Sequence, residues 1–148
     1  MAAMTTERNV VRAGNALASS PGWLPIKANT KILQGAVVVN DGGYAAPGRT
    51  ATGLRTLGVA RKTYDNTGGA AGALIVEYDE GSMFLANSGG GDTITTDHIG
   101  NLVYLVDDQT VALTDGTGTR SPAGRVTEID ATEGNWPIAV RLGAGLAA

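Results

Sequence analysis

The sequence predicts an all-β chain: a small single-domain β-barrel or β-sandwich of about nine short strands with an extended N-terminal arm. Three observations carry this expectation. Short apolar runs alternate with turn signals at a spacing of roughly 8–12 residues. Glycine and proline supply 22 and 5 of the 148 residues, about half as many again as average usage. No stretch of roughly ten residues or more holds the apolar period of a helix. The length suits one domain.

Residues 1–22 read as an arm. Val10 and Val11 form its strong apolar pair, too little surface for independent folding. Two states are open to it: disorder, or order gained on a partner or neighbouring subunit, with Asn9-Val10-Val11-Arg12 adding a strand to a foreign sheet edge. The β body is expected over residues 23–142. Gly35 to Asn40 is a strand, Asp41-Gly42-Gly43 a hairpin turn, and Tyr44 to Ala46 the return. Thr56 to Lys62 is the next strand, followed by a long turn over Asp65 to Gly72. Ala73 to Asp79 places Leu74, Val76 and Tyr78 on one face and Ile75, Glu77 and Asp79 on the other. Glu80-Gly81 turns into Ser82 to Asn87. A short strand over Asp92 to Thr95 and one helical turn capped by Thr96 follow. Leu102 to Val106 is apolar on both faces, a central strand or one covered by a subunit. Thr110 to Thr114, Gly124 to Asp130 and Pro137 to Leu142 complete the body, and residues 143–148 are a frayed tail.

Composition removes several function classes. The chain has no Cys and one His, His98, so thiol nucleophiles, Cys-type zinc sites and His-rich metal centres are excluded. No apolar run approaches the roughly 18 residues of a membrane span, and Glu7, Arg8 and Arg12 interrupt the place of a signal-peptide core. The net charge of −3 conceals a polarised chain. Eight of the eleven bases lie in residues 1–62 beside only Glu7 and Asp41, whereas twelve of the fourteen acids follow. Either the two parts interleave and the charges mix, or the basic part meets an acidic partner. The bases are spaced singly and without interleaved aromatics, a poor match to nucleic acid.

No catalytic pattern survives inspection. Asp107-Asp108 is the most tempting pair, but adjacent strand residues point to opposite faces and Asp is a common turn residue, so a turn is the expected role, with Arg120 as a structural ion-pair partner. His98 has no nucleophile on a Gly-x-Ser-x-Gly elbow to serve. The stretches Gly68 to Gly72 and Gly89 to Gly91 lack the spacing of a phosphate cradle, and Asp115-Gly116-Thr117-Gly118 lacks the alternating acids of a calcium loop. The chain is read as no enzyme, with no cofactor and no metal.

A run of motifs points elsewhere. Asp97-x-Ile99-Gly100-x-x-x-Tyr104-x-Val106-Asp107-Asp108-Gln109-Thr110-Val111-Ala112 leads to Gly118-Thr119-Arg120-Ser121-x-Ala123-Gly124-x-Val126 and Trp136. Before them stand Gln34-Gly35-Ala36-Val37, Gly43-Tyr44-Ala45 and Asp65-Asn66-Thr67-Gly68-Gly69-Ala70-Ala71-Gly72. The ensemble, over roughly residues 30–140, resembles the capsid decoration, or cement, proteins of tailed bacteriophages. It departs from that pattern at His98 and Pro137, where aliphatic residues are expected; Pro137 suits an edge or a strand start.

The resemblance implies a structural virion protein, made in the host bacterial cytoplasm, that binds the outer surface of the mature capsid and stabilises it against internal DNA pressure. It implies the phage major capsid protein as partner, and self-association, a homotrimer before a dimer, with no nucleic acid or membrane partner. The doubly apolar strands Ala36 to Val39 and Leu102 to Val106 need cover on both faces. Capsid-binding candidates are Arg8, Asn9, Val10, Val11 and Arg12 in the arm, with Trp23, Arg49 and Arg55 in the body. The alternative is a virion-displayed host-surface or glycan-binding module. That reading needs an exposed aromatic platform from the seven aromatics, with Trp23 and Trp136 as candidates and a core or interface role the more ordinary use of each.

Overall fold

The computed structural model describes residues 2–10 and 21–142. Of these, 44% are strand, and no helix reaches seven residues. The strands are β1 (Pro21–Pro25), β2 (Thr30–Ile32), β3 (Val37–Asp41), β4 (Tyr44–Pro47), β5 (Arg55–Ala60), β6 (Tyr64–Asn66) and β7 (Ile75–Asp79). After them come β8 (Gly81–Leu85), β9 (Leu102–Leu105), β10 (Val111–Ala112), β11 (Pro122–Ile129) and β12 (Ile138–Leu142). The described residues thus hold twelve strands where the sequence suggested about nine. The additional ones are β1, hidden between two prolines, and the three-residue β2 and β6, too short to display a period.

Five strands form a sheet in the order β1-β7-β5-β3-β4, five more form a sheet in the order β10-β9-β11-β12-β8, and β2 pairs with β6 in a ribbon. All ladders are antiparallel. In each large sheet an isolated parallel bridge ties the ends of the outer strands, Ile26 to Ala45 in the first and Ala86 to Thr110 in the second. None of the sheets closes into a barrel. The chain crosses from the first sheet to the second at Glu80 and Gly81, where Gly81 has φ +116°, a region open to glycine. The two sheets are therefore built from successive parts of the chain.

The β3–β4 hairpin follows its sequence signal. Asp41 pairs with Tyr44, and Gly42 and Gly43 both have positive φ, as a two-residue hairpin loop requires. Pro137 lies immediately before β12, a strand start, with its carbonyl accepting from Asp130 N at 2.9 Å. The stretch Asp92 to Thr95 is no strand. Gly90–Asp92 is a single 3-10 turn, and the backbone of Ile94 is satisfied by one side chain: Asn87 Nδ2 donates to its carbonyl and Asn87 Oδ1 accepts from its N–H, both at 2.9 Å. The predicted helical turn is present as the 3-10 turn Thr96–His98, but its N-cap is Thr95, one residue before the expected Thr96.

Two cores lie on opposite faces of β3. Val37 and Val39 point into the larger core, with Val59 of β5 and Met83, Leu85, Val103, Leu105, Val126, Ile138 and Val140 of the second sheet. Val38 and the preceding Ala36 point into the smaller core with Ile26, Ile32, Tyr64 and Val76. The period-2 alternation of a strand puts successive valines in different cores. The doubly apolar run Ala36 to Val39 is therefore covered on both faces by its own chain. β9 is an internal strand, flanked by β10 and β11, with Val103 and Leu105 fully buried.

The open edge of β1 carries few donors. Ile26 N donates to Leu74 O at 2.8 Å, so along the continuous register the backbone groups of Leu24 and Gly22 also face β7. Those of Pro21, Trp23 and Pro25 face away, and two of these three residues have no N–H.

Gly124, at φ +156°, sits at a register shift between β9 and β11. A Cβ there would stand 2.0 Å from the Arg141 carbonyl oxygen of β12. Gly124→Ala is therefore expected to destabilise the fold by at least ~2 kcal/mol. Gly91→Ala, at an exposed position with no atom within 4 Å of the added Cβ, should stay within ~0.5 kcal/mol of the parent. Urea denaturation of both variants checks the contrast.

Candidate functional site

The sequence-derived candidates fall in two separate places. Residues 2–10 lie against the chain's own body as a strap. Arg8 N donates to Gln34 O at 3.2 Å, and Met4 N donates to Asp108 Oδ1 at 2.9 Å. Gln109 Nε2 donates to Ala2 O at 2.6 Å, and the Thr63 hydroxyl is hydrogen-bonded to the Glu7 carboxylate. The Arg8 side chain, 8% exposed, runs inward. Its Nη1 donates to Phe84 O at 3.2 Å, and its guanidinium stands 5.3 Å from the Trp136 ring centroid, a cation–π contact. Among the described residues, Nε and Nη2 have no hydrogen-bond partner, and both are buried. Burial pushes the Arg8 pKa down to about 10, with the nearby Asp108 opposing, so the side chain remains a cation at neutral pH.

Gly35 makes room for the strap. It has φ +87°, and a Cβ there would lie 2.7 Å from both Arg8 Cγ and the Arg8 carbonyl oxygen, and 3.0 Å from Val10 Cγ2. Val10 is half-buried and packs on the larger core, whereas Asn9 is exposed. Val11 and Arg12 lie outside the described residues. The boundary expected after residue 22 falls earlier, since β1 begins at Pro21.

The turn Asp107-Asp108-Gln109-Thr110 anchors the strap's other side. Gln109 N donates to Asp107 Oδ1 at 2.9 Å, the Asx turn expected from the sequence. All four residues are buried. Trp136 Nε1 donates to Gln109 Oε1 at 3.1 Å, so one amide side chain joins the strap to the indole that receives Arg8. Arg120 does not pair with this turn. It meets Asp92, with Nη1 to Oδ2 at 3.2 Å, and also donates to Thr114 O at 2.9 Å. His98 has a local structural role, its Nδ1 accepting from Thr95 N at 2.9 Å.

The second place lies at β1 and β7 of the first sheet, on the same face as Val37 and Val59 but outside the larger core. Trp23 is 65% exposed and Ile75 49%. Trp23 lies opposite Glu77 and Pro25 opposite Ile75, so all four side-chain positions share one face. Together with Lys62 and Tyr64, Trp23, Ile75 and Glu77 line a shallow hollow. Lys62 Nζ is 5.5 Å from the Tyr64 ring centroid. This hollow shares no lining residue with those bordered by the strap. Arg49 is exposed and paired, its Nη1 3.0 Å from Asp41 Oδ2, which also accepts from Lys27 Nζ at 2.6 Å. Arg55 lies beside another hollow with Asn40, Gly42, Gly43 and Gly53. The sequence singled out Trp23 but passed over Ile75 and Lys62. Ile75 was legible as the odd apolar residue on the acidic face of its strand.

Because the sheets follow chain order, the charge asymmetry persists in space. Residues 21–79 carry six bases against four acids, and residues 81–142 carry three bases against eight acids. Neutralisation within the first part is partial: Arg61 meets Glu77 at 3.6 Å and Asp79 at 3.5 Å. Such exposed pairs contribute only ~0–1 kcal/mol each.

Among the described residues no cluster of His, Asp or Glu is arranged to hold a metal, and no helix is long and apolar enough to cross a membrane.

Burial raises the Asp108 carboxyl above its ordinary value of 3.8, assisted by Asp107 and opposed by the bond from Met4. Folding thus favours proton uptake at Asp108. The ionised form costs stability at neutral pH, and that cost disappears as pH falls through the raised pKa. Asp108→Asn keeps an oxygen acceptor for Met4 N–H and removes the buried charge. Relative to the parent, Asp108→Asn is expected to be more favourable at pH 7 than at pH 4, because the parent carries the cost of the buried carboxylate only at the higher pH, whereas the loss of a counter-charge to Arg8 weighs against the variant. Paired denaturation curves at the two pH values read this.

No protein-family model, curated protein or solved structure matches the chain.

Proposed function

We propose that the protein is a structural component of a tailed-phage virion that binds the outer surface of the mature capsid and stabilises the shell against internal DNA pressure. The observation that carries the reading beyond sequence resemblance is the one-sided chemistry of the first sheet. An exposed apolar patch, Trp23 and Ile75 with Lys62 at its rim, sits on the basic part of a chain whose other part is acidic. That polarity suits a molecule that docks in one orientation, base-rich side toward an acidic surface. We read the two large sheets, which share the larger core, as an open sandwich. Binding the assembled shell in many copies would lower its free energy relative to disassembly.

Within this reading Trp23 is the main capsid anchor. Of the named candidates it presents the largest exposed apolar side chain, whereas Arg8 is engaged by the chain's own body and Arg49 by Asp41. The homotrimer rests on the family resemblance alone, because the doubly apolar strand β3 finds its cover within the chain. A second reading, a virion-displayed glycan-binding module, is favoured by one observation: the exposed Trp23 shares its hollow with Tyr64. Binding on a glycan array, lost with Trp23→Ala, would select it.

The test uses expanded heads and unexpanded procapsids, both lacking decoration protein. The parent should occupy expanded heads and leave procapsids bare. Trp23→Ala should weaken occupancy of expanded heads by roughly thirtyfold, the ~2 kcal/mol expected of an interface anchor, with unfolding unchanged within ~0.5 kcal/mol. Equal occupancy for parent and variant would remove Trp23 from the interface, and equal binding to both head forms would overturn the decoration reading.

A further inference from the structure

We propose that residues 2–10 are an exchangeable strap, and that the groove they fill on their own body is the docking site for the same residues of a second copy. Exchange of this kind is independent of any capsid role. Gly35 leaves a gap that a Cβ would close against Arg8 and Val10. Trp136 offers a ring face to the guanidinium, the Phe84 carbonyl accepts from it, and Asp108 and Gln109 hold the backbone at Met4 and Ala2. These features form a receptor for an extended peptide carrying an arginine six positions after a hydrogen-bonded carbonyl, the recognition chemistry of a bound ligand segment.

The strap is also separable from the body in covalent terms. Val10 borders a hollow that includes Asp79, and Pro21 is the register partner of Asp79, so both ends of the connection meet near one residue. Ten residues, 11–20, join them, a length of chain that reaches roughly 35 Å when extended. The sequence of the connection, Val-Arg-Ala-Gly-Asn-Ala-Leu-Ala-Ser-Ser, is dominated by small residues. Docking onto a neighbour would recreate every contact that residues 2–10 make at home, because the groove is the same. The choice between them then depends on the local concentration of copies. Covalent connection makes docking at home intramolecular, so exchange is a minor event in dilute solution and gains weight wherever copies are held side by side. Exchange of an identical element is a low-cost route to association.

Irreversible trapping reads a minor exchanged population. The chain has no Cys, so single thiols can be placed at will. Full-length Glu7→Cys, the strap donor, is mixed with full-length Thr63→Cys, the groove acceptor, and treated with a short bis-maleimide. Asn135→Cys, exposed beside the strap and Trp136, serves as a second acceptor should loss of the Thr63 hydroxyl disturb the fold, with circular dichroism checking each variant. Thr119→Cys, an exposed position outside the groove, supplies the collisional background. Cross-linked heterodimer from the groove pair is expected at least fivefold above background, rising with protein concentration, and falling to background when the donor also carries Arg8→Ala. Heterodimer at background level for both acceptors would overturn the proposal by confining the strap to its own chain. A yield that Arg8→Ala leaves unchanged or raises would overturn it as well, since the thiols would then be meeting by collision.

Discussion

The buried turn at Asp107 to Thr110 is the constraint on which the rest of the molecule depends. Its backbone and side chains join four parts of the molecule. Val37 of the first sheet donates to the Asp108 carbonyl at 2.8 Å, and Ala86, just past β8, donates to the Gln109 carbonyl at 2.7 Å. Asp108 and Gln109 side chains hold the strap and Trp136. A buried polar turn is tolerated only when its groups find partners, because an unpaired one costs roughly 1–3 kcal/mol. Here satisfying the turn fixes the position of one sheet on the other. The same local bond that makes the turn, Gln109 N to Asp107 Oδ1, therefore has consequences far from it in sequence.

Much of the β body was legible because its signals are local. Asp41-Gly42-Gly43 specifies a hairpin from backbone freedom alone, and the alternation in Ile75 to Asp79 places Val76 inward and Ile75 outward, as found. What escaped were features whose meaning depends on partners distant in sequence. Arg8 read as a surface cation available to an outside partner, because a lone arginine in a polar stretch gives no hint of an indole 128 positions later. Gly35 read as the start of a strand, and only the strap lying on it shows why a side chain is unwelcome there. Asp92 to Thr95 has the composition of a strand, but the amide of Asn87 supplies the pairing that a neighbouring strand would have given.

The valines of β3 illustrate how a local pattern can suggest too large an assembly. A strand apolar on both faces demands cover, and a second subunit is one way to supply it. In this chain the ribbon of β2 and β6, with Ile26 and Val76, forms a second interior on the far side of the sheet. The demand is met within the chain itself, and the exposed apolar side chains, Trp23 and Ile75 among them, lie elsewhere.

The prolines of β1 bear on how such a molecule behaves in crowds. A strand with an uninterrupted row of outward N–H groups is a template on which another chain can grow a ladder, and dense arrays make such encounters frequent. With Pro21 and Pro25 at two of its three outward positions, β1 offers Trp23 alone as a donor, too little for a register to propagate. Contacts at this end of the protein are thereby directed to side chains on the sheet face, where shape and chemistry discriminate among neighbours. Copies packed shoulder to shoulder at high density can then touch without seeding cross-β growth from this edge, a form of solubility written into backbone chemistry instead of surface charge.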